Sequence, residues 1–380
     1  MMLGTDWEIG RIFGIPIKVH MSWFLVFGFV TWSLATGYLP DMLPGLSPQR
    51  YWGMGGTAAL LLFGSVLLHE LGHSYVALRY QIPIQQITLF IFGGVAQMRR
   101  EAPGPKAEFL IAIAGPLVSF ALGGMLLGLA GTVNTGQGLI ALGLLLGSVN
   151  LQLGLFNLIP GFPLDGGRVL RAGLWAWSGN YHRATQQASL VGQGFGLVLG
   201  LLGLALVLGA SAGLIPGPLA ANGSWVALIG LFLFSSARGS RRQANLRASL
   251  EQVSVGDLMV RDVATLPADL TVADAVAQHF LPLGHSGFPV VEEGRPIGMV
   301  AVQDVQALPQ SLWPWRSVRD IMQPWSPAME TGRDMSALAA FEQMQREDQD
   351  RLAVMEHGQL AGLVTRGGIA RFLQLRGLRG

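Results

Sequence analysis

The chain of 380 residues contains no cysteine, and only 13% of its residues are charged. Without cysteine, disulfides and thiolate metal sites are excluded, so any bound metal must be held by His, Asp or Glu. The net charge of +2 is too small to indicate a nucleic-acid-binding surface, and we expect no nucleic-acid partner. No removable signal peptide is recognised, because Asp6 and Glu8 lie near the N-terminus and no small-residue cleavage site follows.

Hydrophobic residues make up 51% of the chain, and the few charges are unevenly distributed. They are sparse up to Ala237 and frequent from Arg238 onward. This composition is typical of a membrane protein with an attached soluble domain. We predict a membrane domain at 1–237, a basic linker at 238–252 and a soluble domain at 253–380.

Six hydrophobic segments have about the length that a helix needs to cross a bilayer. We predict transmembrane helices at about His20–Leu39, Gly55–Tyr80, Glu108–Val133, Gly136–Ile159, Leu190–Leu208 and Ala220–Ala237. Lys and Arg cluster before the first span, in every second loop and after the sixth span, whereas the other loops carry almost none apart from Arg50. By the positive-inside rule, this pattern predicts a multi-pass protein of the cell membrane with both termini in the cytoplasm.

The second hydrophobic segment contains His69-Glu70-Leu71-Gly72-His73. Two histidines four residues apart lie on one face of a helix, so both imidazoles can reach one zinc ion, and the adjacent glutamate can serve as a base toward water at that ion. Ionisable groups inside membrane spans are costly and usually functional. The pattern therefore predicts a zinc peptidase whose chemistry takes place within the membrane, with Glu70 as the catalytic base.

A catalytic zinc ion normally has three protein ligands and one open position, so His69 and His73 need a third partner at membrane depth. The best candidate is Asp165, which follows the fourth span in the segment Asn157-Leu-Ile-Pro-Gly-Phe-Pro-Leu-Asp165-Gly-Gly-Arg168. Its prolines interrupt a helix, and freed backbone at membrane depth is tolerated only where protein or a cavity satisfies it. We expect a broken helix that turns the Asp165 carboxylate inward.

These motifs resemble those of the site-2 protease family of intramembrane zinc metalloproteases. The resemblance rests chiefly on the HExxH and NxxPxxxLDGG motifs, with weaker support from segments 14–20, 92–94 and 114–117. It implies one zinc ion per chain, bound by His69, His73 and Asp165. It further implies Glu70 as general base and Asn157 as a polar catalytic group near the substrate carbonyl. The implied substrates are transmembrane segments of other membrane proteins, cut in regulated intramembrane proteolysis.

The segment Ile84 to Met98 is rich in β-prone residues and contains Gly93-Gly94, a signal for a turn or bulge at the end of a strand. We expect a small membrane-associated β-sheet here, whose edge strand binds extended substrate by strand addition. The family is thought to use a sheet in this way, so the substrate-binding role of Gly93 and Gly94 follows from the resemblance.

The C-terminal part contains an internal repeat: Ser254-Val-Gly-Asp257-Leu-Met259 recurs as Ser317-Val-Arg-Asp320-Ile-Met322. It resembles a tandem cystathionine-β-synthase (CBS) pair, with units at about 253–310 and 316–375. The predicted fold class is therefore a polytopic α-helical membrane protein with six transmembrane helices and a small β-sheet, followed by an α/β tandem CBS module. The resemblance implies regulation of activity by an adenine nucleotide, or a homodimer formed through the CBS domains.

The nucleotide motif, roughly Gly-h-h-Thr/Ser-x-x-Asp in the family, is incomplete in both repeats. Ala301 replaces the hydroxyl residue of the first repeat, which keeps Asp304. Gly368 replaces the carboxylate of the second repeat, which keeps Thr365. Asp304 and Thr365 are thus the candidate nucleotide-binding residues, and the sequence leaves nucleotide binding open.

Two other functions fit parts of the sequence. A CBS-gated membrane transporter or channel predicts an internal repeat among the spans and ionisable groups on several helices, and the sequence shows neither. An inactive scaffold that binds membrane partners would tolerate the loss of Glu70, and Glu70 is present. We therefore predict an intramembrane zinc metallopeptidase.

Overall fold

The computed structural model describes residues 6–91, 93–132, 136–214, 216 and 218–377. The chain forms two compact units, Met1–Ala244 and Asn245–Gly380. Phe92, which belongs to a motif of the resemblance, and Val133, at the end of the third expected span, lie outside the described residues, as do residues 1–5 and 378–380 of the predicted domains.

The first unit is built mainly from helices. Their bounds are α1 Met21–Met42, which includes a π-helical turn at Leu34–Tyr38, α2 Pro48–Arg79, α3 Pro105–Thr132, α4 Gln137–Asn157, α5 Asp165–Ser178, α6 Tyr181–Ser211 and α7 Pro218–Glu251. Within the described residues, five helices are long and apolar enough to cross a membrane, namely α1 to α4 and α6. The sixth expected span falls within α7, and the count of six stays a prediction.

Helix α7 continues through the segment that the sequence analysis treats as a linker. No proline follows Pro218 before Glu251, and the basic stretch is rich in Ala, Leu and Arg, which favour helix. The predicted linker 238–252 is therefore helical almost to its end.

A four-stranded sheet packs beside α2. Its strands are β1 Trp7–Ile12, β2 Ile15–Val19, β3 Ile84–Phe90 and β4 Gly93–Met98, hydrogen-bonded in that order. β2 and β3 are parallel, and the other two pairs are antiparallel, so β4 is an edge strand of the sheet. Alternate residues of β2 are buried, and Ile17 packs with Ile87 of β3 and Leu71 of α2. This contact places the sheet next to the HExxH segment. Gly93 and Gly94 begin β4, whereas the sequence analysis places them at the end of a strand.

The loop between α4 and α5 packs closely on the start of α5, and this packing requires a glycine. Helix α4 ends at Asn157, and α5 begins at Asp165 after Pro160 and Pro163. A Cβ atom at Gly166 would overlap the carbonyl oxygens of Leu158 and Ile159, so only glycine lets the loop fold back on the first turn of α5. The expected break between these helices is confirmed.

The second unit consists of two α/β repeats. In the first repeat, the helices are Val255–Leu258, Val272–Ala275 with its continuation to Leu283, and Val302–Ala307, and the strands are Leu266–Pro267, Gly287–Glu292 and Arg295–Ala301. In the second, the helices are Val318–Ile321, Ala337–Arg346 and Arg366–Gly377, and the strands are Gln323–Pro324, Glu330–Thr331, Arg351–Glu356 and Gln359–Thr365. The described strands form one sheet of four and one of three.

The two repeats exchange segments. Val255, from the start of the first repeat, is buried in one core with Leu352 and Met344 of the second. Val318, from the start of the second repeat, is buried in the other core with Phe288 of the first. Each hydrophobic core therefore needs residues of both repeats.

Candidate metal centre

Helix α2 supplies two histidines on one face. His69 and His73 are each 3% exposed, and their Nε2 atoms lie 3.2 Å apart. The spacing of four residues brings the rings one turn apart on the same side of the helix. Two imidazole nitrogens thus converge on one point inside the first unit.

Asp165 is the first residue of α5 and approaches the same point from another helix. Its Oδ2 atom lies 3.1 Å from Nε2 of His69 and 3.1 Å from Nε2 of His73. These three residues form a group of candidate ligand atoms that all lie within 4.8 Å of one another. In a tetrahedral zinc site with bonds near 2.0–2.1 Å, ligand atoms are about 3.3 Å apart. The spacing of the three atoms fits one zinc ion.

The remaining ring nitrogens are held by helix α3. Nδ1 of His73 lies 2.7 Å from the carbonyl oxygen of Ile111, and Nδ1 of His69 lies 2.9 Å from Oγ of Ser119. Because a carbonyl oxygen only accepts hydrogen bonds, Nδ1 of His73 is the nitrogen that donates to Ile111. Its Nε2 is then the nitrogen that is available to a metal beside the Asp165 carboxylate. Such outer hydrogen bonds are the usual means of orienting metal-ligating histidines.

Gly115 of α3 makes the space for the two rings. A Cβ atom built there would lie 2.7 Å from Nε2 of His69 and would overlap Nε2 of His73. No side chain larger than hydrogen fits unless the imidazoles move. In the sequence, Gly115 belongs only to the weakly supporting segment 114–117, and Ser119 is not among the predicted site residues. Their four-residue spacing after Ile111 was the available signal, because it places all three on one helix face.

Glu70 lies between the histidines and the edge strand. Its Oε2 atom accepts a hydrogen bond from the backbone N–H of Ala96 in β4 at 3.1 Å. A Cβ atom at Gly94 would lie 2.6 Å from Cγ of Glu70, so this strand approaches the glutamate closely because it has glycine there. The carboxylate of Glu70 is thereby fixed next to an edge strand of the sheet.

A cavity of about 500 Å³ unites the residues that the sequence singles out. Its lining includes His69, Glu70, His73, Gly93, Gly94, Asn157 and Asp165. Most of its remaining wall is apolar, with residues such as Val66, Leu153 and Ile229. The arrangement therefore offers a metal site, a carboxylate base and a polar amide on the wall of one apolar space.

The two candidate nucleotide residues lie in the second unit, where each has a local partner. Asp304 Oδ2 accepts a hydrogen bond from the backbone N–H of Ala301 at 2.7 Å. Thr365 Oγ1 accepts one from the backbone N–H of Gly368 at 2.9 Å. Thr365 therefore caps the helix Arg366–Gly377 that follows it, and Asp304, in the first turn of Val302–Ala307, bonds back to the residue before that helix; both roles are structural.

Comparison with known proteins decides the family. The model of Peptidase family M50 matches residues 57–136 and 130–201, and that of the CBS domain matches 255–308 and 318–375. A relative from Synechocystis sp. is named as a zinc metalloprotease. It is 38% identical to this chain, and the match covers 98% of this chain and 96% of the relative.

The chain belongs to Peptidase family M50. A second relative, from Mycobacterium tuberculosis and with a name of the same kind, is 37% identical to this M50 chain over 97% of the chain and 92% of its own length. A solved site-2 protease from Methanocaldococcus jannaschii is 35% identical, with a TM-score of 0.44, and the match covers 63% of this chain and 96% of that one. By its family and its similarity to the two relatives, this M50 protein is a zinc metalloprotease with a C-terminal tandem CBS module.

Proposed function

We propose that the protein hydrolyses peptide bonds in transmembrane segments of other membrane proteins. The observation that carries this proposal is the convergence of His69, His73 and Asp165 on one point of a largely apolar cavity, beside Glu70. Three converging ligand atoms of this kind, two of them on buried histidines, serve metal chemistry far better than packing, because ionisable groups are costly at membrane depth. The alternative of a CBS-gated transporter or channel receives no support from the family assignment.

The metal ligands, the base and the hydrogen-bond donor are different residues. His69, His73 and Asp165 would hold zinc, which when bound supplies a Lewis acid that polarises a peptide carbonyl and makes water more acidic. Glu70 takes a proton from the attacking water and returns it to the leaving amine. Asn157 donates a hydrogen bond to the oxygen on which negative charge develops.

Substrate binding requires an extended chain, because the carbonyls of a helix are occupied by its own hydrogen bonds. Within the described residues, strand β4 is at an edge of its sheet, and Gly93 and Gly94 at its start line the cavity. A substrate segment that unwinds and pairs with β4 would bring its carbonyls alongside the cavity. This is the role that we assign to the two glycines.

The catalytic test uses the full-length protein in detergent and a membrane-protein substrate with one transmembrane helix. Wild type is expected to contain one zinc ion per chain and to cut the substrate, and His69→Ala is expected to lose the metal. Glu70→Gln is expected to keep zinc and to cut about 10²–10⁴-fold more slowly.

The matched control is Glu342→Gln, the same substitution at an exposed position of the second unit. It is expected to retain both zinc and cleavage. Cleavage by Glu70→Gln at the wild-type rate would remove the assigned base, and a zinc-free wild type would remove the proposal itself.

For the second unit we propose regulation of the protease through an adenine nucleotide. The support is a buried cation: Arg351 is 5% exposed and donates a hydrogen bond from Nη2 to Oγ of Ser286 at 3.1 Å. Burial lowers the pKa of Arg351, and the charges of Asp350 and Asp304 oppose that shift. A buried guanidinium close to Asp304 suits a ligand that carries both phosphate and ribose.

A titration of the full-length protein with ATP and AMP tests this regulation. Saturable binding is expected for wild type, and loss of it for Arg351→Gln. The control Arg333→Gln, at an exposed arginine, is expected to bind normally. If wild type binds neither nucleotide, dimerisation through the CBS pair remains as the role of this unit, and the mass of the detergent-solubilised protein tests it.

We also propose that the protein lies in the cell membrane as a multi-pass protein with both termini in the cytoplasm. The support is the alternation of basic and nearly uncharged loops along the sequence. Protease digestion of sealed vesicles with tags at either terminus tests this orientation.

A further inference from the structure

A buried carboxylate outside the catalytic set lies at the start of α3. Glu108 is 1% exposed. It forms ion pairs with Nε of Arg168 at 3.0 Å and with Nη2 of Arg171, both of which belong to α5. Burying charges is costly even when they are paired, and packing alone is served as well by apolar side chains. The cluster of one Glu and two Arg is therefore better explained by a function than by packing.

The two arginines fix the helix that carries Asp165. Arg168 and Arg171 follow Asp165 by about one and two turns of α5, which has 14 residues. Arg171 also donates a hydrogen bond to the hydroxyl of Tyr181 at 2.8 Å, and its guanidinium lies over the rings of Tyr181 and Phe162 at 4.8 and 5.0 Å. Because a short helix moves as a rigid body, the contacts to Glu108 set where its first residue lies.

The same helix face that carries Glu108 also carries the partners of both histidines. Ile111, Gly115 and Ser119 follow Glu108 at intervals of three, four and four residues, which is one face of α3. The carbonyl of Ile111 and the hydroxyl of Ser119 orient the imidazoles, and Gly115 leaves room for them. One face of α3 thus contacts the elements that supply all three metal ligands.

We propose that Glu108, acting through Arg168 and Arg171, is a positioning residue that holds the Asp165 carboxylate at the two histidines. This role rests on the metal site proposed above. Glu108 and Arg171 do not touch substrate or metal; they determine how well Asp165 completes the site. The consequence is that zinc affinity depends on an ion pair beyond the ligands themselves.

The test measures metal binding by the full-length protein in detergent. The variants are Glu108→Gln, which removes the charge, and Arg171→Lys, which keeps the charge but loses the planar fork that reaches Glu108 and Tyr181 together. Zinc dissociation constants come from competition with a chromophoric chelator, and ligand geometry comes from the visible spectrum of the cobalt-substituted protein. We expect zinc to bind about 10–100-fold more weakly in Glu108→Gln and about 10-fold more weakly in Arg171→Lys, each with an altered cobalt spectrum.

The control is Leu39→Ala, which opens a cavity at a fully buried position of α1, outside α3 and α5, and is expected to lower the melting temperature. It is expected to keep the wild-type zinc affinity and cobalt spectrum. Wild-type values in both Glu108→Gln and Arg171→Lys would overturn the positioning role, as would an equal loss of affinity in Leu39→Ala. If Glu108→Gln does not fold, Arg171→Lys decides alone. Absence of zinc from wild type is a separate outcome, since it refutes the metal site itself.

Discussion

The two units of the chain differ in how many charged side chains they have and in where most of them lie. In the N-terminal unit, charges are sparse, and two carboxylates with little exposure contact specific partners: Asp165 contacts two histidines and Glu108 contacts two arginines. In the C-terminal unit, charges are frequent and many pair at the surface, although Arg351 is buried; the side chains of Arg333 and Glu356 are 44% and 37% exposed. A charge that avoids water is expensive, so its position reports a function, whereas an exposed pair contributes little.

Gly115→Ala tests the idea that the charged groups of the N-terminal unit serve a metal site. It adds one methyl group beside the two histidines and changes no charge. The new Cβ would meet both imidazole Nε2 atoms, so the rings must turn away from Asp165. We expect at least a 10–100-fold loss of zinc affinity, roughly as large as losing an outer hydrogen bond, and a matching loss of cleavage. Zinc content and chelator competition measure it.

Gly124→Ala is the control for this substitution. Gly124 lies on the same helix α3, and a Cβ atom there meets nothing within 4 Å. It is expected to bind zinc like wild type and, through helix propensity, to stabilise α3 by up to about 1 kcal/mol. If Gly115→Ala and Gly124→Ala bind zinc equally well, the two imidazole rings have more space than the structure shows, and the role assigned to Gly115 is wrong.

The sequence alone predicted which three side chains meet, since His69, His73 and Asp165 converge on one point; that they bind a metal stays a prediction. It succeeded because few ionisable residues occur in the hydrophobic half, so each one draws attention. It did not predict Ser119 or the carbonyl of Ile111. A serine in a hydrophobic helix is common, and a backbone carbonyl has no signature in sequence, so only the packing of α3 on α2 shows their role.

A second effect, on the reaction and not on metal binding, separates two asparagines of the same helix α4. Asn157 lines the cavity, whereas Asn150 is 1% exposed and donates a hydrogen bond from Nδ2 to Oγ of Ser65 at 3.1 Å. Asn157→Ala is expected to lower kcat by about 10²–10³-fold with zinc retained, because it removes a donor to developing negative charge. Cleavage rates at saturating substrate, together with zinc content, check this.

Asn150→Ala serves as the comparison variant. It is expected to destabilise the protein by about 1–3 kcal/mol, since the hydroxyl of Ser65 loses a buried partner, and to leave kcat near wild type. Asn157→Ala with unchanged kcat, or Asn150→Ala with the larger kinetic loss, would reverse the assignment.

The fold of the second unit was predicted from its repeat, but its segment exchange was not. The matching pairs Ser254/Asp257 and Ser317/Asp320 show where each repeat begins. They carry no sign that Val255 packs with Leu352 of the other repeat. The sequence pattern is local, whereas the pairing of cores depends on the path of the chain between them, so the repeat predicts the elements and not their exchange.

The smallest effect belongs to an exposed charge of the second unit. Asp257 caps the helix Val255–Leu258: its Oδ2 accepts hydrogen bonds from N and Oγ of Ser254 at 3.2 and 2.7 Å, and these bonds hold the pKa of Asp257 below its ordinary value. A carboxyl whose pKa is lower in the folded state stabilises the fold above its unfolded pKa, and this stabilisation is lost as pH falls through the folded value.

Thermal unfolding of Asp257→Asn is therefore expected to show a slightly lower melting temperature than wild type at pH 7, and the difference is expected to vanish in acid. Ser254→Ala also removes the hydroxyl that accepts a hydrogen bond from the backbone N–H of Asp257 at 3.2 Å, so part of its loss of melting temperature is expected to remain in acid. For Asp257→Asn, a difference that persists unchanged at low pH would mean that packing, rather than charge, explains this cap.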